Sequence, residues 1–157
     1  NGNLYGSVVR IAADCYPLPG DQIVGIVTMG EGVVVYPVGA PALDQFEEQP
    51  ERWVAMRWDS GTMNEARLFD SRLNLTVVNR TGSLSIVAQT IADFNANISN
   101  LALTQRDQDF CDLTLDIEVR DVQHVEQLVN ALKGSSVVSA ATRQLTGEVL
   151  HSRDEKK

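Results

Sequence analysis

Several things are scarce in this chain, and each scarcity removes a class of function. The 157 residues hold two cysteines, Cys15 and Cys111, far apart and in no CxxC pair. That spacing gives neither a disulfide framework nor a zinc knuckle. No apolar run approaches the ~20 residues that a membrane-spanning helix needs. No secretory signal pattern opens the sequence, so the cytoplasm is the expected compartment. Basic residues are also few: 13 Lys+Arg stand against 21 Asp+Glu, a formal net charge of −8. Residues 1–70 contain only four cations, Arg10, Arg52, Arg57 and Arg67. An autonomous nucleic-acid binder needs a basic footprint to neutralise phosphates, and neither half has one.

Catalytic patterns are missing as well. The two histidines, His124 and His151, belong to no triad, HExxH or comparable metal arrangement. There is no P-loop and no GxGxxG; Gly30-Glu31-Gly32 reads as a hairpin turn. Asp112, Asp116 and Glu118 fall on the outer face of a strand, where charges meet solvent. No catalytic residue, cofactor or metal is therefore expected. The sequence opens on Asn1-Gly2 without a methionine and is expected to be part of a longer chain.

What is present is a pair of patterned regions. Hydrophobic content of 43% and charged content of 22% fit a globular protein, of a length for one ordinary domain or two small ones. In the second region, Asn79-Arg80-Thr81-Gly82 is a turn cluster with Thr81 placed to cap a helix. Leu84, Val87, Ala88, Ile91 and Phe94 then form one helical face, and Asn95-Ala96-Asn97 ends it. Cys111, Leu113, Leu115, Ile117 and Val119 alternate with polar residues, the signature of a half-buried strand. This makes Cys111 a buried core thiol. Asp121 caps a second helix with Val122, Val125, Leu128, Val129 and Leu132 on one face and Gly134 at its end; His124 falls on its polar side. Strands at Leu73 to Val78 and Val137 to Arg143 complete the order strand-helix-strand-strand-helix-strand. The fold class is α+β, a ferredoxin-like βαββαβ arrangement. Ser99, Leu101 and Leu103 supply an edge strand, open to pairing with a second copy.

The first region begins with an extended or partly helical segment, Leu4 to Ala13. Two prolines and a glycine in Asp14-Cys15-Tyr16-Pro17-Leu18-Pro19-Gly20-Asp21 forbid regular structure. Ile23 to Met29 and Val33 to Tyr36 form a hairpin, and Trp53 to Trp58 a further strand. Trp53 and Trp58 are read as core anchors; the competing role, stacking on bases, needs exposure. The boundaries read as a first domain over 1–60, a flexible linker over 61–71, a second domain over 72–145 and a flexible tail over 146–157.

Both regions carry a resemblance. The segment Asn79-Arg80-Thr81-Gly82-Ser83-Leu84, followed by Asn97-Ile98 after the helix, is similar to the ACT domain, a small-molecule regulatory module of metabolic enzymes. The family more often has proline where Thr81 stands. Cys15-Tyr16-Pro17-Leu18-Pro19-Gly20-Asp21-Gln22-Ile23-Val24-Gly25, then Gly30-Glu31-Gly32-Val33, resembles the RIS or zinc-finger domain that precedes the ACT domain in long RelA/SpoT-type enzymes. Those enzymes make and hydrolyse the alarmone (p)ppGpp in the stringent response. The family usually has two adjacent cysteines at Asp14 and Cys15, and a histidine and a third cysteine at Tyr36 and Ala40. Zinc takes about four N or S donors, so this set is expected to hold no structural zinc.

The resemblance implies a non-catalytic regulatory region attached to N-terminal catalytic domains of the same chain. It also implies a homodimer through the ACT half, with an effector amino acid between the two copies. Asn79 and Asn97 match asparagines that hold serine in the ACT domain of phosphoglycerate dehydrogenase, and the loop backbone at Thr81, Gly82, Ser83 and Leu84 would meet the effector's charged ends. A helix start stabilises a carboxylate, and an amide side chain serves a zwitterion without adding charge. Val77 replaces a histidine of the serine-binding domain; with Leu84 and Ile98 nearby, it favours a branched-chain effector, valine or isoleucine. The alternative is a module that docks on ribosomal RNA and tRNA, or one that only dimerises.

Overall fold

The computed structural model describes residues 8–59 and 67–147. The valine-rich first region builds a four-stranded sheet from β1 (Val9–Ile11), β2 (Ile23–Thr28), β3 (Gly32–Pro37) and β4 (Trp53–Ala55), in the order β1-β3-β2-β4. β1 runs parallel to β3, while β2 is antiparallel to both β3 and β4. The β2–β3 hairpin is the one the β-branched runs predict. Gly32 is fixed there by space: a Cβ would stand 2.2 Å from the Val8 carbonyl oxygen. Two 3-10 helices, Pro41–Phe46 and Pro50–Arg52, follow. They cover a small core of Ile26, Ala40, Leu43 and Phe46.

The second sheet contains β5 (Phe69–Val78), β6 (Asn97–Arg106), β7 (Phe110–Val119) and β8 (Val138–Gln144), ordered β6-β7-β5-β8. All three pairings are antiparallel. Two helices, α1 (Ser83–Asp93) and α2 (Val122–Lys133), cover one face. The α+β, βαββαβ reading is the observed one. Alternation explains the two faces: Ser71, Leu73, Leu75 and Val77 point into the core with Leu113, Leu115 and Ile117. The opposite face is polar and cross-linked between strands. Arg72 grips Asp116 at 2.7 and 3.0 Å, Thr76 donates to Asp112, and Thr114 donates to Asn74.

Several local expectations change. β5 starts at Phe69, four residues before Leu73 and inside the 61–71 stretch expected as linker; residues 60–66 lie outside the described residues, as do 148–157 of the expected tail and His151. Thr81 does not cap α1; Gly82, at φ 91°, takes the N-cap position with no side-chain bond. Leu84 is 48% exposed and Ala88 is also outside the core, because Ser83, Val87 and Ile91 form the buried stripe. Asp121 does cap α2, accepting the His124 N–H at 2.8 Å. His124 itself is 2% exposed, not on a polar face. Its Nδ1 accepts the Arg120 N–H at 3.0 Å, so Nε2 carries the proton and donates to the Phe94 carbonyl at 2.6 Å. This bond ties the start of α2 to the end of α1. Trp53 is 37% exposed at the sheet edge and is no core anchor, although its indole N–H donates to the Phe46 carbonyl at 2.8 Å. Trp58 is half-buried, edge-on to Phe69 at 5.5 Å.

The irregular stretch Asp14 to Asp21 forms the seam between the two sheets. Leu18 is fully buried in the core of the second sheet, a contribution of about 1.5–3 kcal/mol for a leucine side chain. The Pro19 carbonyl accepts the Val122 N–H at 3.0 Å, and the Tyr16 N–H donates to the Leu145 carbonyl at 2.9 Å. Asp21 accepts from the Leu18 N–H at 2.7 Å and pairs with the Arg143 guanidinium. Arg143 also donates to the Tyr16 carbonyl at 3.1 Å. Arg72 stacks over the Tyr16 ring at 4.8 Å.

Candidate functional site

The loop between β5 and α1 is held from below. The Asn79 N–H donates to the Asp109 carbonyl and its side-chain amide donates to the Asp107 carbonyl at 2.7 Å. This fastens the loop to the β6–β7 turn. That turn is itself braced: the Asp107 carboxylate accepts the N–H groups of Phe110 and Asp109, both at 2.8 Å. Those two bonds, Phe110 first, hold the Asp107 carboxyl below the usual carboxylate range.

Between the braced loop, the start of α1 and the end of β6 lies an open cavity of about 280 Å³. Its apolar wall comes from Val77, Cys111 and Leu113 on the sheet, Leu101 and Leu103 on the edge strand, and Leu84 on the helix. Its polar residues are Asn79, Arg80, Ser83 and Arg106. Ser83 is 3% exposed, and its Oγ has no hydrogen-bond partner. A buried hydroxyl left unpaired costs on the order of 1–3 kcal/mol, so a ligand atom there would recover part of that cost.

The residues expected at the site separate into two groups. The cavity gathers Val77, Asn79, Ser83 and Leu84. Thr81 and Gly82 belong to the adjoining loop but do not line it. The Ser83 N–H is engaged by the Arg80 carbonyl at 3.1 Å, so α1 offers the N–H groups behind it in the first turn. Asn97 and Ile98 lie elsewhere. Asn97 sits across from Glu118 and donates to its carboxylate at 3.2 Å, and Ile98 packs against the main core. The cavity is near Cys111 at the other end of β7, seven residues away, or roughly 23 Å along a strand. One copy of the chain therefore does not bring Asn97 to the cavity. Cys111 is a buried core thiol as expected, and the structure adds that it faces the cavity.

Sequence reasoning missed the contributions of Leu101, Leu103, Arg106 and Leu113. The β6–β7 register pairs Leu101, Leu103 and Arg106 with Leu115, Leu113 and Cys111, a correspondence that alternation alone does not give because β6 has two bulges.

No group of three or more His, Cys, Asp and Glu residues comes together among the described residues. Cys15, outside both sheets, bridges to Thr146 along the backbone. Tyr36 and Ala40 cannot replace nitrogen or sulfur ligands, so this donor set does not fit zinc. No described helix is long and apolar enough to cross a membrane.

Comparison with known proteins identifies both regions. Residues 1–59 match the RelA/SpoT RIS domain family, and residues 65–143 match the ACT domain family. A GTP pyrophosphokinase rsh from Brucella ovis is 40% identical over 126 residues, covering 80% of this chain and 17% of the relative. The bifunctional (p)ppGpp synthase/hydrolase SpoT of Escherichia coli is 25% identical over 138 residues, covering 88% of this chain and 19% of the relative. The chain thus spans under a fifth of the length of these relatives. Among solved structures, the ACT domain from a GTP pyrophosphokinase of Chlorobium tepidum is 19% identical, with a TM-score of 0.44, over 50% of this chain and 100% of that one. The chain belongs to the ACT domain family, and in front of its ACT domain it carries the RIS domain of the RelA/SpoT proteins.

Proposed function

We propose that this chain is a non-catalytic regulatory region of a cytoplasmic (p)ppGpp synthetase/hydrolase, and that its ACT domain senses valine or isoleucine to control catalytic domains of the same protein. The observation that carries this reading is the cavity at the start of α1. It combines an unpaired, buried Ser83 hydroxyl with a wall of leucine, valine and cysteine side chains. An amino acid with an apolar side chain has both surfaces to match. Asn79 uses its amide nitrogen on the Asp107 carbonyl, and its amide oxygen is an acceptor by chemistry. The domain division that fits is an RIS unit over 1–60, an ACT unit ending near 145, and a join and tail on either side of it.

The distant Asn97 has a place in a symmetric dimer. β6 is an edge strand with Leu101 and Leu103 exposed at 43% and 50%. Antiparallel pairing of two β6 strands about Leu101 would set Asn97 of one copy opposite Gln105 of the other, beside Arg106 and the cavity. Each site would then take its wall from one chain and an asparagine from the second. Direct docking on ribosomal RNA or tRNA has less support. The polar face of the second sheet bears Asp112 and Asp116, unsuited to phosphates, and Arg52 is engaged with the Val27 carbonyl and the Phe46 ring.

Titration calorimetry with all twenty amino acids tests the reading. Valine and isoleucine should give the strongest binding. Ligand at ~100 times its dissociation constant should add ~2.7 kcal/mol of stability. Asn97→Ala should weaken both binding and its coupling to dimerisation. Absence of heat and of any thermal shift with either amino acid at about 10 mM, a concentration far above a useful effector affinity, would remove the proposal.

A further inference from the structure

We infer that Arg80 and Arg106 are the groups that recognise the ligand in this cavity, and that they select an apolar carboxylate by its anionic end. The inference rests on the cavity described above and extends it to residues that neither the ACT motif nor the comparisons assign. Its starting point is a contrast among the arginines. Arg10, Arg72 and Arg143 each pair with a carboxylate, Glu31, Asp116 and Asp21 respectively. Arg52 and Arg67 lie over phenylalanine rings. Arg80 and Arg106, like Arg57 and Arg120, have no side-chain hydrogen bond or ion pair among the described residues, but of these four only Arg80 and Arg106 line the cavity. In a chain with 21 acids and a net charge of −8, two arginines without a carboxylate partner lining one cavity mark a place suited to an anion.

Three further features point to the same charge. No aspartate or glutamate lines the cavity. Asp107, the nearest acid along the chain, has its carboxylate turned to the N–H groups of its own turn. The 11-residue helix α1 begins at the cavity with no acid in its first turn, so its dipole and free N–H groups also favour an anion. Ser83, buried and unpartnered at that helix start, offers a neutral O–H donor. Opposite these donors the wall is apolar. The matching ligand has one compact anionic group and a short branched hydrocarbon tail. An ammonium group would meet two like charges and few acceptors here, so it contributes less than the carboxylate to affinity from this copy of the chain.

Calorimetry on the full 157-residue chain separates this inference from the amino-acid reading. The probes are valine, 3-methylbutanoate (a carboxylate without the ammonium) and 2-methylpropan-1-amine (an ammonium without the carboxylate). Arg80→Gln and Arg106→Gln are made at exposed positions, and thermal unfolding confirms that each stays folded. Each substitution should weaken the carboxylate-bearing ligands about tenfold or more, the expected effect of losing one charge-assisted hydrogen bond. The amine should compete with neither. Wild-type affinity for valine in both variants, or displacement of valine by the amine as readily as by the carboxylate, overturns the inference and leaves the amino-acid reading standing. Binding of 3-methylbutanoate without binding of valine or isoleucine does the reverse. Binding of none of the carboxylates overturns both.

Discussion

The two outer strands of the second sheet have the same topology but opposite surroundings. β6 has no buried residue over its ten positions, and two of its leucines face solvent. β8 buries Val138, Ala141 and Gln144, and Arg143 at its end is tied to the first region. The seam continues past β8, where Cys15 bridges Thr146 and Tyr16 bonds Leu145. An unpaired strand edge is a template for another strand. The RIS segment occupies one flank of the sheet, which leaves the other flank uncovered. The same flank holds the cavity, so the proposed assembly and ligand binding would share a border while the RIS domain stands on the far side.

The largest test of this contrast removes the seam's apolar anchor. Leu18→Ala should cost about 2–5 kcal/mol, as for other buried leucines, and should lower the denaturation midpoint of the ACT core. A loss below about 1 kcal/mol would mean that the two regions fold without reference to each other. Next comes the ion pair. Asp21→Ala or Arg143→Ala should each cost about 1.5–3 kcal/mol by stripping hydrogen bonds to a charged group. The double variant should cost less than the sum, a coupling that a thermodynamic cycle measures. On the bare edge the outcome should reverse. Leu103→Lys should leave the stability of the fold within about 0.5 kcal/mol while reducing self-association in sedimentation. Retained dimer would place the interface elsewhere.

The smallest effect concerns alkaline pH. Burial, followed by several smaller electrostatic contributions, raises the Tyr16 phenol above 10.0, with Arg72 opposing it. The folded state therefore keeps a proton that the unfolded state releases, so stability is intact below pH 10 and declines as pH rises above it. Tyr16→Phe should flatten that decline in a comparison of unfolding midpoints across the range. An unchanged slope would show that the ring does not titrate at the seam.

Much of the fold is legible because alternation and helical spacing are local. Cys111 to Val119 on β7 and Val122 to Leu132 on α2 read directly as their structures. Failures cluster where a neighbour decides the outcome. Leu84 has the spacing of a core residue, but the first turn of α1 overhangs a cavity. His124 looks polar until the end of α1 supplies the Phe94 carbonyl. Phe69 and Ser71 join β5 because β7 offers Val119 and Ile117 as partners. At the site, the loop motif draws attention to Asn79 and Ser83, whereas Arg106 is invisible until the hairpin folds back on itself.

By itself the sequence determined the α+β class, the order of elements in the second region and the apolar faces of β7 and α2, because periodicity and side-chain chemistry are properties of single segments. Only the tertiary structure decided that the irregular Tyr16-Pro17-Leu18-Pro19 stretch is a seam, that the edge strand runs from Asn97 to Arg106 with two bulges, and that Arg80 and Arg106 line one cavity at the start of α1. Those outcomes depend on which surfaces remain uncovered after the strands pair, and strand pairing joins residues far apart in the chain.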